Sequence, residues 1–284
     1  MQKGPILAAC FAALAVSPKL FSQAHFDVVK QETVQTRLGL YKGNDQMREA
    51  ALFKTFADAG CPAAHLSEQP VPKREEPNVI CVLPGDTDEE IIIGAHFDHV
   101  REGGGVIDNW SGASLLPSLF QSLLGSKHRH TYVFVGFTGE ELGEIGSTFY
   151  VNQLSKNEVS EIELMITIDS IGLGPTKVWT SRSDKRAVGI LAATAQAMKL
   201  PVAGVNIDGA GTSDEEPFIQ QGVKTITVHS ITNENIRVLH SRFDVPAAIS
   251  FHDYYDTYRL LAGYLAILDT QLGTESPSSP AQSH

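Results

Sequence analysis

Five short apolar runs, rich in β-branched residues, constrain the fold of this chain more than any other feature. They are Val79-Ile80-Cys81-Val82-Leu83, Ile91-Ile92-Ile93, Tyr132-Val133-Phe134-Val135, Met165-Ile166-Thr167-Ile168 and Thr225-Ile226-Thr227-Val228. Each is too short for a helix, and its hydrophobicity is continuous rather than alternating, so both faces of each strand need cover. That pattern predicts a single α/β domain, a mainly parallel twisted sheet flanked by helices on both faces. The helices are legible between the runs. Asn44 can cap one that carries Met47, Ala51, Phe53 and Phe56 and stops at Gly60. Leu115, Leu116, Leu119, Phe120, Leu123 and Leu124 form the stripe of another, with Pro117 in its first turn or at a kink. Ser183 opens a third that runs to Leu200, and a last one holds Tyr254, Tyr258, Leu261, Leu265 and Leu268.

The two ends differ from the middle. Lys3 precedes an apolar stretch from Ile6 to Val16 that is too short to span a bilayer, and Ser22-Gln23-Ala24 has a small-x-Ala cleavage pattern. Residues 1–24 are therefore expected to be a signal peptide, and the protein secreted or periplasmic with no stable membrane span; Cys10 lies too early in the run for a lipid-anchor motif. Residues 25–273 form the expected domain, and the Ser/Pro-rich stretch 274–284 a disordered tail. Beyond residue 24 two cysteines remain, Cys61 and Cys81. An oxidising compartment favours a disulfide between them, the alternative being two small core thiols. The formal net charge of −11, from 33 acidic and 22 basic residues, argues against nucleic acid or an anionic membrane as partner.

In open α/β sheets, ligands bind beyond the carboxyl ends of the strands. The polar residues of this chain follow that rule. Ile91-Ile92-Ile93 runs into His96 and Asp98, Tyr132–Val135 into Glu140 and Glu141, and Met165–Ile168 directly into Asp169, while Thr225–Val228 leads through a loop to His240. Imidazole and carboxylate groups delivered singly from separate strand ends suit a pair of zinc ions. In the expected arrangement Asp108 bridges two Zn²⁺ ions, His96 and Asp169 complete one, and Glu141 and His240 the other. Glu140 is the expected general base towards a metal-bridging hydroxide, and Asp98 holds the His96 ring.

His96-Phe97-Asp98, Asp108-Asn109-Trp110-Ser111-Gly112, Glu140-Glu141-Leu142-Gly143 with Gly146-Ser147, Ile168-Asp169 and a late His-Ser-x-x-Asp appear in one order. In these motifs the chain resembles the secreted di-zinc aminopeptidases of the bacterial leucyl aminopeptidase type, relatives of glutaminyl cyclases and glutamate carboxypeptidases. The resemblance implies release of N-terminal residues from peptides with a free N-terminus. It also implies a cis peptide bond at Asp108-Asn109. It favours His240 over His252 as the last ligand, although both have Asp at the fourth following position (Asp244, Asp256), because His252 would leave no loop before the final helix. His229, ending a strand, is expected in the substrate pocket. Trp110, Glu144 and Ile145 depart from the family pattern and bear on pocket shape. His25, His65, His99, His128 and His130 read as surface or loop residues. Two alternatives stay open: a glutaminyl cyclase-like zinc acyltransferase, and an inactive binding domain of the same fold.

Overall fold

The computed structural model describes residues 25–207 and 211–272; the expected signal segment 1–24 and the tail 274–284 lie outside the described residues. Eight strands form one sheet: β1 (Leu66–Gln69), β2 (Asn78–Leu83), β3 (Glu90–His96), β4 (Thr131–Phe137), β5 (Ile162–Ile168), β6 (Thr176–Val178), β7 (Val202–Gly204) and β8 (Thr225–His229). Their spatial order is β1-β2-β4-β3-β5-β8-β6-β7. The central strands β4, β3, β5 and β8 run parallel, whereas β1 with β2, β2 with β4, and β6 with β8 are antiparallel. All five apolar runs are strands.

Helices α1 (Gln31–Leu38), α2 (Asp45–Asp58), α3 (Leu116–Leu123), α4 (Ile145–Gln153), α5 (Lys156–Glu161), α6 (Lys185–Met198), α7 (Glu216–Gln220) and α8 (Phe251–Gln271) accompany the sheet. Side chains alternate across the strands, so neighbours in sequence enter different cores. Ile91, Ile93, Phe134, Ile166 and Val228 pack with Phe56 of α2, Phe120 of α3 and Tyr258 of α8. Ile92, Val133, Val135 and Met165 pack instead with Tyr150 of α4 and Phe218 of α7. This is the two-sided burial that continuous apolar runs demand.

Local signals act largely as expected. The Asn44 side chain accepts the Met47 N–H at 3.0 Å, capping α2. Pro117 sits in the first turn of α3, where its missing N–H costs nothing. One boundary differs: Asp184, not Ser183, caps α6, accepting the Ala187 N–H at 2.9 Å. The Ser183 hydroxyl is taken up by the sheet, donating to Trp179 O at 2.7 Å and accepting the Thr227 N–H at 3.1 Å. His128 and His130 are buried rather than exposed. His128 donates to Leu123 O at 2.6 Å, and His130 Nδ1 lies 3.1 Å from Asp269, so partners on α3 and α8 satisfy both rings. Cys61 and Cys81 are bridged, with Cα atoms 6.4 Å apart. Among the described residues, no helix is long and apolar enough to cross a membrane.

The chain leaves β3 for β4 on one side and later returns to β5 on the other. Loops leaving adjacent strands in opposite directions open a crevice at the carboxyl end of β3. His96 is the last residue of that strand.

Candidate metal centre

Four loops at this end of the sheet meet in one place. His96, Asp108 and Asp169 can each offer a ligand atom with all three within 4.8 Å of one another, and so can Asp108, Glu141 and His240, and His96, Glu140 and Glu141. Asp108 belongs to the first two groups, and Glu140 to the third alone. His240 Nε2 lies 3.1 Å from Asp108 Oδ2 and 2.9 Å from Glu141 Oε2. His96 Nε2 faces Asp108 Oδ1 at 3.3 Å, Glu140 Oε2 at 3.8 Å and Asp169 Oδ1 at 3.9 Å. His252 stands apart, highly exposed and 3.6 Å from Asp256 on its own helix.

The motif around Asp108 owes its shape to side chains that replace secondary structure. The Asp108–Asn109 peptide bond is cis. Asn109 donates to Ile168 O at 2.8 Å and accepts the N–H groups of Gly112 and Ser170 at 2.9 and 3.1 Å, tying the loop to the end of β5 beside Asp169. The Ser111 hydroxyl donates to Ile107 O at 2.7 Å and accepts the Ile171 N–H at 3.0 Å. Trp110 is buried away from the crevice, its indole N–H donating to Arg37 O at 3.1 Å. Of the departures from the family pattern, Glu144 alone lines the cavity beside the cluster.

Asp98 has two duties. Its main-chain oxygen lies 3.2 Å from His96 Nδ1, closer than its carboxylate at 3.6 Å. The carboxylate instead accepts the N–H groups of Glu140 and Glu141 at 3.1 and 3.3 Å. A proton on His96 Nδ1 leaves the Nε2 lone pair facing the crevice. Burial works against ionisation of Asp98, but the adjacent His96 ring and the hydrogen bonds from those two N–H groups outweigh it and hold the carboxyl below its ordinary range.

The other carboxyls are crowded. Burial pushes Glu140 up to about 10, opposed by His96 and reinforced by Asp214, Asp169 and Asp108. Burial, helped by Asp108, raises Glu141 to about 7, and burial raises Asp169 as well. Asp108 goes the other way: the His240 and His96 rings that face it overcome its burial and hold it low. Among the described residues, His96 Nε2 and Glu141 Oε1 are buried without hydrogen-bond partners. Several like charges, two imidazoles and unpartnered donor atoms aimed at one another fit metal cations as the missing counter-charge.

Sequence reasoning missed several contributors. Ser213 donates to Asp169 Oδ2 at 2.7 Å and Ser170 donates to Oδ1 at 2.9 Å, orienting that carboxylate. Asp214 is fully buried, and burial raises it to about 8. Three consecutive acidic residues, Asp214-Glu215-Glu216, carry no sequence signal of burial beyond the Pro217-Phe218 that follows them.

The cavity beside the cluster has a volume of about 460 Å³ and is walled by Trp179, Ile207, Ile231, Ile236 and Leu239, with Glu140, Glu141 and Asp169 at one side. His229 lines it as expected. Its Nε2 lies 3.1 Å from Val205 O and its Nδ1 accepts the Ile231 N–H at 3.0 Å, and burial lowers it to about 4, so it is a neutral wall.

Comparison with known proteins places this geometry. Leucine aminopeptidase 2 of Trichophyton rubrum is 39% identical over 88 residues, 31% of this chain and 18% of that protein. The chain thus matches less than a fifth of that relative's length. The aminopeptidase LapA of Legionella pneumophila superposes with a TM-score of 0.74 at 17% identity, over 88% of this chain and 74% of that one. A glutaminyl cyclase of an Acidobacteriales bacterium does so with 0.69 at 16% identity, over 95% of this chain and 100% of that one. These two likenesses concern the fold. The model of peptidase family M28 matches residues 78–265, from the second strand into the last helix, and the chain belongs to that family.

Proposed function

We propose that the protein is a zinc-dependent aminopeptidase that releases N-terminal residues from peptides with a free N-terminus. The observation that carries this reading is the pair of donor groups sharing Asp108, with Glu140 beside them. His96, Asp108 and Asp169 would hold one zinc ion, and Asp108, Glu141 and His240 a second. Bound zinc supplies Lewis-acid polarisation of the scissile carbonyl and makes a water acidic enough to react near neutral pH. Glu140 takes the proton from the attacking water and delivers it to the leaving amine. Asp98 fixes both the ring of His96 and the turn that carries Glu140. The neighbouring cavity receives the first side chain, and the buried acidic groups at its edge attract the free ammonium group. The Cys61–Cys81 bridge supports an exported protein, since such bonds persist in oxidising compartments.

Metal analysis of purified protein, together with hydrolysis of aminoacyl arylamides before and after chelation, tests the reading. Two ions per chain and chelator-sensitive release are expected. At most one tightly held ion, or no activity on any unblocked substrate, would refute it. Cyclisation of glutaminyl peptides with release of ammonia, arylamides being untouched, would assign a cyclase instead.

A further inference from the structure

Arg48 lies on α2, before the stretch that matches the family, and is completely buried. Among the described residues it has no carboxylate partner at hydrogen-bonding distance; its donors go to main-chain oxygens. Nε donates to Tyr41 O at 3.0 Å, and Nη1 to Phe97 O at 3.2 Å and Gly105 O at 3.1 Å, while Nη2 donates to Gly104 O. Phe97 stands between His96 and Asp98, and Gly104 and Gly105 lead into Asp108. One rigid guanidinium therefore grips both ends of the segment that runs from His96 towards the shared ligand. Gly105 makes the approach possible: its φ is +52°, and a Cβ there would lie 2.9 Å from Arg48 Nη1 and 2.3 Å from the His99 Cβ.

The same loop is gripped from its other side. Asp244 accepts the N–H groups of Val106 and Ile107 at 2.8 and 2.7 Å and that of Asp108 at 3.2 Å. Arg48 satisfies the carbonyls at the start of the loop and Asp244 the amides at its end. Within the loop one main-chain bond, from the Trp110 N–H to Gly105 O at 3.1 Å, adds to these contacts.

We propose that Arg48 is a positioning residue of the metal centre, setting the separation of His96 and Asp108 by bridging the main chain just after His96 to the main chain leading into Asp108. This rests on the aminopeptidase reading only in taking those two residues as metal ligands. A planar fork with five N–H donors can span four carbonyls, and an ammonium group on a flexible stem cannot. Charge alone is then insufficient, and Arg48→Lys isolates the geometric part.

The test compares wild type and R48K by chelator competition for zinc and by the visible absorption of the cobalt-substituted proteins, with circular dichroism as the check on folding. R48K is expected to stay folded, to bind at least one ion about 10–100-fold more weakly, as loss of outer support for a ligand does, and to give a changed cobalt spectrum. A folded R48K with wild-type affinity for both ions and an unaltered spectrum overturns the proposal. If metal-free R48K is unfolded, folding is titrated with zinc. A transition displaced to higher zinc supports the positioning role, and failure to fold at any zinc concentration overturns it in favour of a purely structural one. Wild-type protein that binds no zinc pair would instead refute the proposed function.

Discussion

The main-chain N–H of Glu140 donates to the carboxylate of Asp98 at 3.1 Å, so the group proposed as base hangs from the residue that also steadies His96. The turn Glu140–Leu142 has no side-chain cap of its own, and Asp98 takes that place. Asp98→Asn keeps the shape but weakens the acceptor for two N–H groups. We expect retained fold and a fall in kcat of about 10–100-fold, checked by steady-state kinetics on an aminoacyl arylamide at saturating zinc.

Glu140→Gln separates chemistry from metal binding. Its carboxylate is 3.8 Å from His96 Nε2 and is not needed to complete either donor group around Asp108. Metal content should stay near that of wild type, while kcat falls by about 10²–10⁴-fold. Metal analysis alongside kinetics distinguishes this from loss of an ion.

His240→Ala and His252→Ala should differ. His240 touches Asp108 and Glu141, whereas among the described residues His252 pairs with Asp256 alone. The first variant is expected to lose one zinc ion per chain and the second none. The reverse pattern in metal analysis would overturn the ligand assignment.

Cys61→Ser opens a loop of 20 residues, which should lower stability by about 3 kcal/mol in chain-entropy terms. Denaturant unfolding measures this directly. The loop is not remote from the site: Arg74 within it donates to Thr138 at 3.3 Å and packs beside Gly139, next to Glu140. A modest fall in kcat with unchanged zinc content is therefore expected as well.

Glu49 is a buried carboxyl beside Glu68. Burial, with Glu68 adding, pushes it up to about 7, whereas an unfolded chain would titrate it near about 4.3. The folded state thus holds the extra proton between those values, and stability falls as pH rises from about 4 to about 7. Glu49→Gln should raise the denaturant midpoint at pH 8 and leave it unchanged at pH 4.

The parallel centre of the fold was readable because β2, β3, β4, β5 and β8 carry their own apolar runs, and a polar residue just past such a run falls at the rim of the sheet. β6 and β7 have three residues each and β1 is Leu66-Ser67-Glu68-Gln69, so pairing with neighbours, not local hydrophobicity, makes them strands. The residues now gathered at the crevice could be named because each lies at a strand end or in a short motif. Arg48, Asp214 and His130 could not be read as buried. A charged or polar side chain enters an interior only where distant groups receive it, and those partners lie far off in sequence: Gly105 for Arg48 and Asp269 for His130.

The bond between Ile107 and Asp244 joins positions 137 residues apart. During synthesis, Asp108 would leave the ribosome long before the segment that shapes its loop and brings His240 to it. A truncated chain ending before Asp244 would lack the acceptor that holds Val106, Ile107 and Asp108, so loading with the proposed metal pair should follow tertiary folding rather than seed it. Cellular zinc supply would then limit how much of the folded protein is active, not how much of it folds.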